Sequence, residues 1–174
     1  DAVIDAINAA GRSILAVDLP SGLDCDTGAA AARTIRADHT CTFVALKRLA
    51  LAGASRSGKK FGNVLLRELK GRGYDVVTVH PEAAELEGLA CSRSLSALAG
   101  RVDGLVVVTP PAQAAQLVGE AAAAGIGRVW LQQGARSDEA VEVAREKGVS
   151  LVHGHCLLMF LPGVGGFHRF HRGL

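Results

Sequence analysis

Short apolar runs recur along the chain, and each is closed by a polar, Pro or Gly turn. Ile14, Leu15, Ala16 and Val17 form the first run, ended by Asp18 and stopped by Pro20. Leu49, Ala50, Leu51 and Ala52 form the next, with a Gly/Ser/Lys turn behind it. Val76, Val77, Thr78 and Val79 lead into His80 and Pro81, and Leu105 with the three valines after it leads into Thr109, Pro110 and Pro111. Val129, Trp130 and Leu131 lead into Gln132, Gln133 and Gly134, and Ser150 to His153 supply the last run. Runs of this length bounded by turn residues predict buried strands.

Between the runs, apolar residues fall at helical spacing. Val3, Ile4 and Ile7 mark a first helix ended by Gly11, and Phe61, Val64, Leu65 and Leu69 share one face of a second, ended by Gly71 and Gly73. A third helix is predicted over 111–124, opened by Pro111 and closed by Gly125; a fourth over 137–147 has Ser137 as N-cap and Gly148 at its end. Near-continuous apolar strands alternating with helices predict a three-layer α/β fold, with a mostly parallel sheet and helices on both faces joined by right-handed crossovers. Ligands of such sheets sit at the carboxyl ends of the strands, where these polar turns collect.

Composition narrows the picture. The 174 residues, 49% of them hydrophobic, suit one α/β domain of ordinary size with a substantial core. A net charge of +2, with positive residues scattered except near 56–60 and at the carboxyl end, argues against a nucleic-acid partner. Cys25, Cys41, Cys91 and Cys156 form no CxxC pair and no basic-then-apolar leader opens the chain, so reduced thiols in a cytoplasmic protein are expected. Every apolar stretch is broken well short of a membrane span, so no membrane partner is expected.

The turn after Ala52 carries the first chemistry. Gly53 permits a tight turn, Ser55 offers a hydroxyl, Lys59 and Lys60 put charge beside a helix start, and Gly62 permits close approach. Exposed amides at a helix N-terminus suit a diphosphate. The spacing is not GxGxxG, and His80-Pro81 stands where a ribose-binding acid would close the next strand, which counts against ordinary NAD binding. A Gly/Ser turn that merely joins strand to helix accounts for the same residues.

Taken with the later turns, Gly53-Ala54-Ser55 through Phe61-Gly62-Asn63, Gly73-Tyr74, His80-Pro81, Thr109-Pro110-Pro111 and Gln132-Gln133-Gly134 resemble the CoA-binding domain family. These are Rossmann-like proteins similar to the CoA-binding domain of the succinyl-CoA synthetase α subunit. The resemblance covers residues 47–174. It implies a coenzyme A site with Gly53, Ala54, Ser55, Lys60, Phe61 and Gly62 on the phosphate side. Pro81, Thr109, Pro110 and Pro111 would line the cleft, with Gln132, Gln133 and Gly134 beyond.

The amino-terminal signature points elsewhere. Asp18-Leu19-Pro20-Ser21-Gly22-Leu23-Asp24, then Asp26-Thr27-Gly28, Ile35-Arg36-Ala37-Asp38 and Thr40 to Phe43, resemble the NAD(P)H-hydrate epimerase family over residues 1–46. The resemblance implies a hydrated NAD(P)H substrate, Asp18 as the acidic residue that serves proton transfer, and Ser21 as a ligand of a potassium ion. The family's upstream Asn/Gly/Asp loop, which supplies its dinucleotide phosphate site and further potassium contacts, has no counterpart in this sequence. The bland alternative for Asp18 and Asp24 is a strand-end turn with capping carboxylates.

The two stretches meet at a seam. A strand over 40–46 would be followed by another at Leu49 after only Lys47 and Arg48, too few for a parallel crossover and poor for a hairpin. Either one long strand runs through, or the amino-terminal piece pairs elsewhere; a fusion, a rearranged gene or a chimera each leaves this pattern. His153 and His155, two apart, would share a strand face, with no local carboxylate to complete a metal set. Phe167, His168, Phe170 and His171 suit docking on the parent domain or on a second copy. The expected protein is therefore a Rossmann-like CoA-binding module, residues 47–174, without a catalytic constellation of its own, behind a partial epimerase-like segment, 1–46. An epimerase, or a subunit lending its CoA site or a surface to a partner, are the alternatives, and a homodimer stays open.

Overall fold

The computed structural model describes residues 2–17, 21–22, 29–41 and 48–161. The chain divides into two compact units, Asp1–Leu46 and Lys47–Leu174. None of the described helices is long and apolar enough to cross a membrane.

In the first unit, α1 (Ala2–Ala9) precedes β1 (Leu15–Val17), which pairs in parallel with β2 (His39–Cys41). No residue of α1 is buried, and Val3 is 68% exposed. Polar contacts organise the described part of this unit. The Asn8 side chain donates to the Thr34 carbonyl at 2.9 Å and accepts the Arg36 N–H at 2.8 Å. Asp38 closes a ring with Ile14, its Oδ2 accepting the Ile14 N–H at 2.8 Å and its own N–H reaching the Ile14 carbonyl at 2.9 Å. Asp18, Asp24 and the predicted strand beyond Cys41 lie outside the described residues.

In the second unit β3 (Arg48–Ala52), α2 (Phe61–Gly71) and β4 (Asp75–Val79) are followed by a hairpin of β5 (Glu85–Leu86) and β6 (Leu89–Ser92). Then come β7 (Gly104–Val107), α3 (Pro111–Ala123), β8 (Arg128–Leu131), α4 (Asp138–Glu146) and β9 (Ser150–Val152). One seven-stranded sheet results, in the order β5-β6-β4-β3-β7-β8-β9, with β5 the antiparallel member. The seam itself, residues 42–47, lies outside the described residues; before it β2 pairs with β1, and after it β3 lies between β4 and β7.

Strand alternation gives each face its own cover. Ala50, Val77, Leu105 and Val129 share one face in register and join Ala114, Val118, Ala121, Ala140 and Ala144 of α3 and α4 in a single core cluster. Alanines on both sides of this interface let the helices approach the sheet closely. Leu51, Val106 and Trp130 point to the opposite face, where the reversed direction of the β3–β4 crossover places α2.

Two details differ from the sequence pattern. The core face of α2 carries Gly62, Asn63, Leu65, Leu66 and Leu69, while Phe61 and Val64 are 44% and 37% exposed. The helix is turned because Gly62 must contact the chain at Gly53, which centres the buried stripe on 62, 65/66 and 69. Between Pro81 and Leu105, where no element was predicted, lies the β5–β6 hairpin. Its two-residue loop, Glu87 and Gly88, has φ of 51° and 73°, the paired left-handed geometry of a tight hairpin turn.

Candidate functional site

β3 sits where the strand order reverses: β4 is reached on one side of it and β7 on the other. Such a switch point opens a crevice at the carboxyl ends of the two central strands. Here the crevice begins with a backbone contact. Gly53 has φ of 116°, and a Cβ on it would stand 2.6 Å from the Val108 carbonyl. A Cβ on Gly62 would stand 2.4 Å from the Gly53 carbonyl oxygen and 2.8 Å from the Ala54 nitrogen. Both glycines are therefore required by the fold, and together they press the first turn of α2 onto the turn after β3.

Asn63 organises that turn. It is 1% exposed and uses its whole hydrogen-bonding capacity. Its Oδ1 accepts the Ser55 N–H at 3.0 Å and the Ser55 hydroxyl at 3.1 Å, and its Nδ2 donates to the Ser55 carbonyl at 2.8 Å and to Glu87 Oε1 at 3.0 Å. The N–H and O–H of Ser55 thus point inward to Asn63. What the turn leaves over is different: the N–H groups of Phe61 and Gly62 have no acceptor among the described residues, and the N-cap residue, Lys60, places no side-chain cap on them. Arg56 is paired with Glu82 at 3.0 Å and Arg67 with Glu87 at 2.7 Å, whereas Lys59 and Lys60 are exposed with no acidic partner among the described residues.

The neighbouring turns flank this one. After β4, His80 Nδ1 accepts the N–H groups of Glu82 and Ala83 at 3.2 and 3.0 Å, which pins the exposed Pro81 turn. After β7, the Val108 N–H reaches the Ala52 carbonyl at 2.8 Å, and the Thr109 hydroxyl is buried without a partner among the described residues. Pro110 and Pro111 then start α3. After β8 the turn is built differently. Gln132 is 2% exposed, and its side-chain carbonyl accepts the Leu157 N–H at 3.0 Å and the Trp130 indole at 3.3 Å. Gln133 and Gly134 are exposed next to it, the Gln133 N–H engaged by the His155 carbonyl at 3.1 Å.

β9 ends at Val152, so His153 and His155 do not share a strand face; Gly154, with φ of 81°, turns the chain between them. His155 packs edge-on against Phe160. Burial, with Arg136 and His155 close by, holds His153 below the ordinary histidine range. No group of three metal-ligating side chains occurs among the described residues. Ser21 is exposed with its carbonyl bonded by the Ile35 N–H at 2.9 Å, and Asp18 lies outside the described residues. The chain pattern thus brought Gly53, Ala54, Ser55, Lys60, Phe61, Gly62, Pro81, Thr109, Pro110 and Pro111 onto three adjacent strand ends. It missed Asn63 and Glu87. The available signal for Asn63 was a polar residue directly after Gly62 on the inner side of α2; for Glu87 there was none, because its partners are 20 and 24 residues away.

Comparisons with known proteins divide at the same place as the units. A family profile described as CoA binding domain matches residues 47–162, and one described as YjeF-related protein N-terminus matches residues 1–49. The NAD(P)H-hydrate epimerase of Pirellula staleyi is 56% identical over 54 residues, 31% of this chain and 24% of that protein. The ADP-forming acetate–CoA ligase I of Archaeoglobus fulgidus is 29% identical over 123 residues, 65% of this chain and 18% of that one. The chain therefore spans a quarter or less of either relative. A conserved hypothetical protein from Pyrococcus furiosus, of known structure, is matched over 96% of its length and 64% of this chain, at 39% identity and a TM-score of 0.61.

Proposed function

The chain belongs to the CoA binding domain family across residues 47–162, and from that premise we propose that its second unit binds coenzyme A at the turns ending β3, β4 and β7. The diphosphate suits the free N–H groups of Phe61 and Gly62, reinforced by the α2 dipole and by Lys60, on a floor shaped by Gly53 and Ala54. Ser55 supports that floor from within rather than donating to the ligand. Pro81, Thr109, Pro110 and Pro111 line the flanks, with Gln133 and Gly134 beyond them; Gln132 is turned inward to Leu157 and serves the fold rather than the ligand. Coenzyme A brings a thiol that carries acyl groups, and these residues bind and orient it.

The observation that carries the reading is Thr109. Its hydroxyl is buried at the switch point with no partner among the described residues, and a buried polar group in that position calls for a ligand or water. Thermal-shift titration with CoA, NADP and ADP tests it. CoA is expected to raise the melting temperature, by the equivalent of about 2.7 kcal/mol at a hundredfold excess over Kd. No shift at millimolar CoA overturns the reading.

Residues 1–46 stand, in this proposal, as a partial epimerase-like segment ahead of the CoA-binding domain. A second reading, NAD(P)H-hydrate epimerase, is favoured by the 56% identity to the Pirellula staleyi enzyme. In it Asp18 moves the proton and Ser21 contributes to a potassium site. Epimerisation of hydrated NAD(P)H that disappears in Asp18→Asn would establish it, and a chain with no such activity would remove it. The ligase relative supports a third, a subunit that lends its CoA site to a partner.

A further inference from the structure

Glu87 belongs to none of the strand-end turns. It lies in the loop of the β5–β6 hairpin, 24 residues beyond Asn63, with φ of 51°, a conformation L residues other than Asn and Asp rarely adopt. Its side chain is only 19% exposed. Oε1 accepts Asn63 Nδ2 at 3.0 Å and the Arg67 guanidinium at 2.7 Å, and the Glu87 carbonyl accepts Lys70 Nζ at 3.0 Å. Arg67 also reaches the Gly58 carbonyl at 3.4 Å, and a Cβ on Gly58 would stand 3.6 Å from Glu87 Oε1. The carboxylate therefore lies under the middle of the turn that follows β3.

We infer that Glu87 is a positioning residue for this turn, acting through Asn63; the inference rests on the CoA reading for its ligand and on geometry for its mechanism. An ionised carboxylate is acceptor-only, so it fixes which end of the Asn63 amide faces it. Nδ2 must point to Glu87 and to the Ser55 carbonyl, which leaves Oδ1 facing the Ser55 N–H and hydroxyl. The Ser55 N–H and carbonyl favour the same orientation, and Glu87 completes it by taking the second Nδ2 hydrogen; without Glu87 that hydrogen is a buried donor with no match, and the ties from Asn63 to Ser55 loosen. Held as it is, Asn63 ties both backbone groups of Ser55 to the first turn of α2. This keeps the chain at Gly53 and Ala54 pressed on Gly62 and leaves the Phe61 and Gly62 amides clear. The left-handed backbone at Glu87 serves the same end by turning the side chain back to α2 from a hairpin at the sheet edge.

Two variants separate this role from a general loss of fold. Glu87→Gly removes the carboxylate while relieving the backbone conformation, so the hairpin is retained. Glu87→Gln keeps an acceptor for Asn63. In Glu87→Gly, amide hydrogen exchange should show Ser55 losing protection while Leu51 and Val106 keep theirs, and CoA affinity should fall about tenfold, the scale of one charge-assisted hydrogen bond. Glu87→Gln should recover most of both. Unchanged Ser55 protection in Glu87→Gly overturns the positioning role, as does unchanged CoA affinity in a wild-type protein that binds CoA. A wild-type protein that binds no CoA overturns the ligand assignment instead, and the exchange experiment then decides the positioning role by itself.

Discussion

The turns after β3 and β8 leave the same end of one mostly parallel sheet, two strands apart, and they use their polar groups in opposite ways. After β8 the side chain is consumed by the fold: Gln132 is buried and its amide carbonyl satisfies Leu157 and Trp130. After β3 the side chain that is consumed, Asn63, satisfies Ser55, and the Phe61 and Gly62 amides of the helix N-terminus are left without an acceptor among the described residues. Polar residues at a strand end thus do not by themselves mark a binding turn. What marks one is the set of donors that remains once internal partners are subtracted.

The sharpest way to break this contrast is Gly62→Ala. Its Cβ would meet the Gly53 carbonyl oxygen, backbone against backbone, so the α2 terminus and the turn must separate. Chemical denaturation should show a loss of roughly 1–3 kcal/mol, and isothermal titration should show CoA binding lost. The matching change on the other turn, Gln132→Leu, strands the buried Leu157 N–H. It should cost about 1–3 kcal/mol of stability but leave CoA affinity unaltered at a temperature where the variant is folded. Equal losses of affinity in both variants would erase the distinction.

Smaller changes sharpen it. Lys60→Ala removes an exposed cation that has no acidic partner among the described residues, and should weaken CoA about two- to fivefold, an effect that shrinks as salt is added. Stability should hardly change. His153, on the turn after β9, gives the smallest expected effect. Its folded pKa is lowered, so the unfolded chain binds the proton more readily. The stabilisation is full above the unfolded value of 6.5 and is lost as pH falls through the folded pKa. Denaturation midpoints at about pH 7.5 and about pH 5 should therefore differ slightly more in the wild type than in His153→Asn.

Strand and helix order in the second unit was legible because near-continuous apolar runs and Gly/Pro/Ser punctuation report burial and turns within a few residues. Ser137 as N-cap, accepting the Ala140 N–H at 3.1 Å, and Gly125 and Gly148 at helix ends follow directly from residue type. The β5–β6 hairpin was not legible, since Glu-Gly is a weak turn signal and its strands are short. The order of turns that carries the family resemblance was also written in the sequence.

Tertiary structure alone decided the rest. It rotated α2 so that Asn63 rather than Phe61 is buried, because Gly62 has to meet Gly53. It also decided which polar groups are taken. Glu87 reaches Asn63 across 24 residues, and Leu157 reaches Gln132 across 25. Local periodicity measures how often a position faces a core; it carries no record of which distant donor or acceptor the fold brings to it. The second quantity determines whether a strand-end turn is closed on itself or open to a ligand.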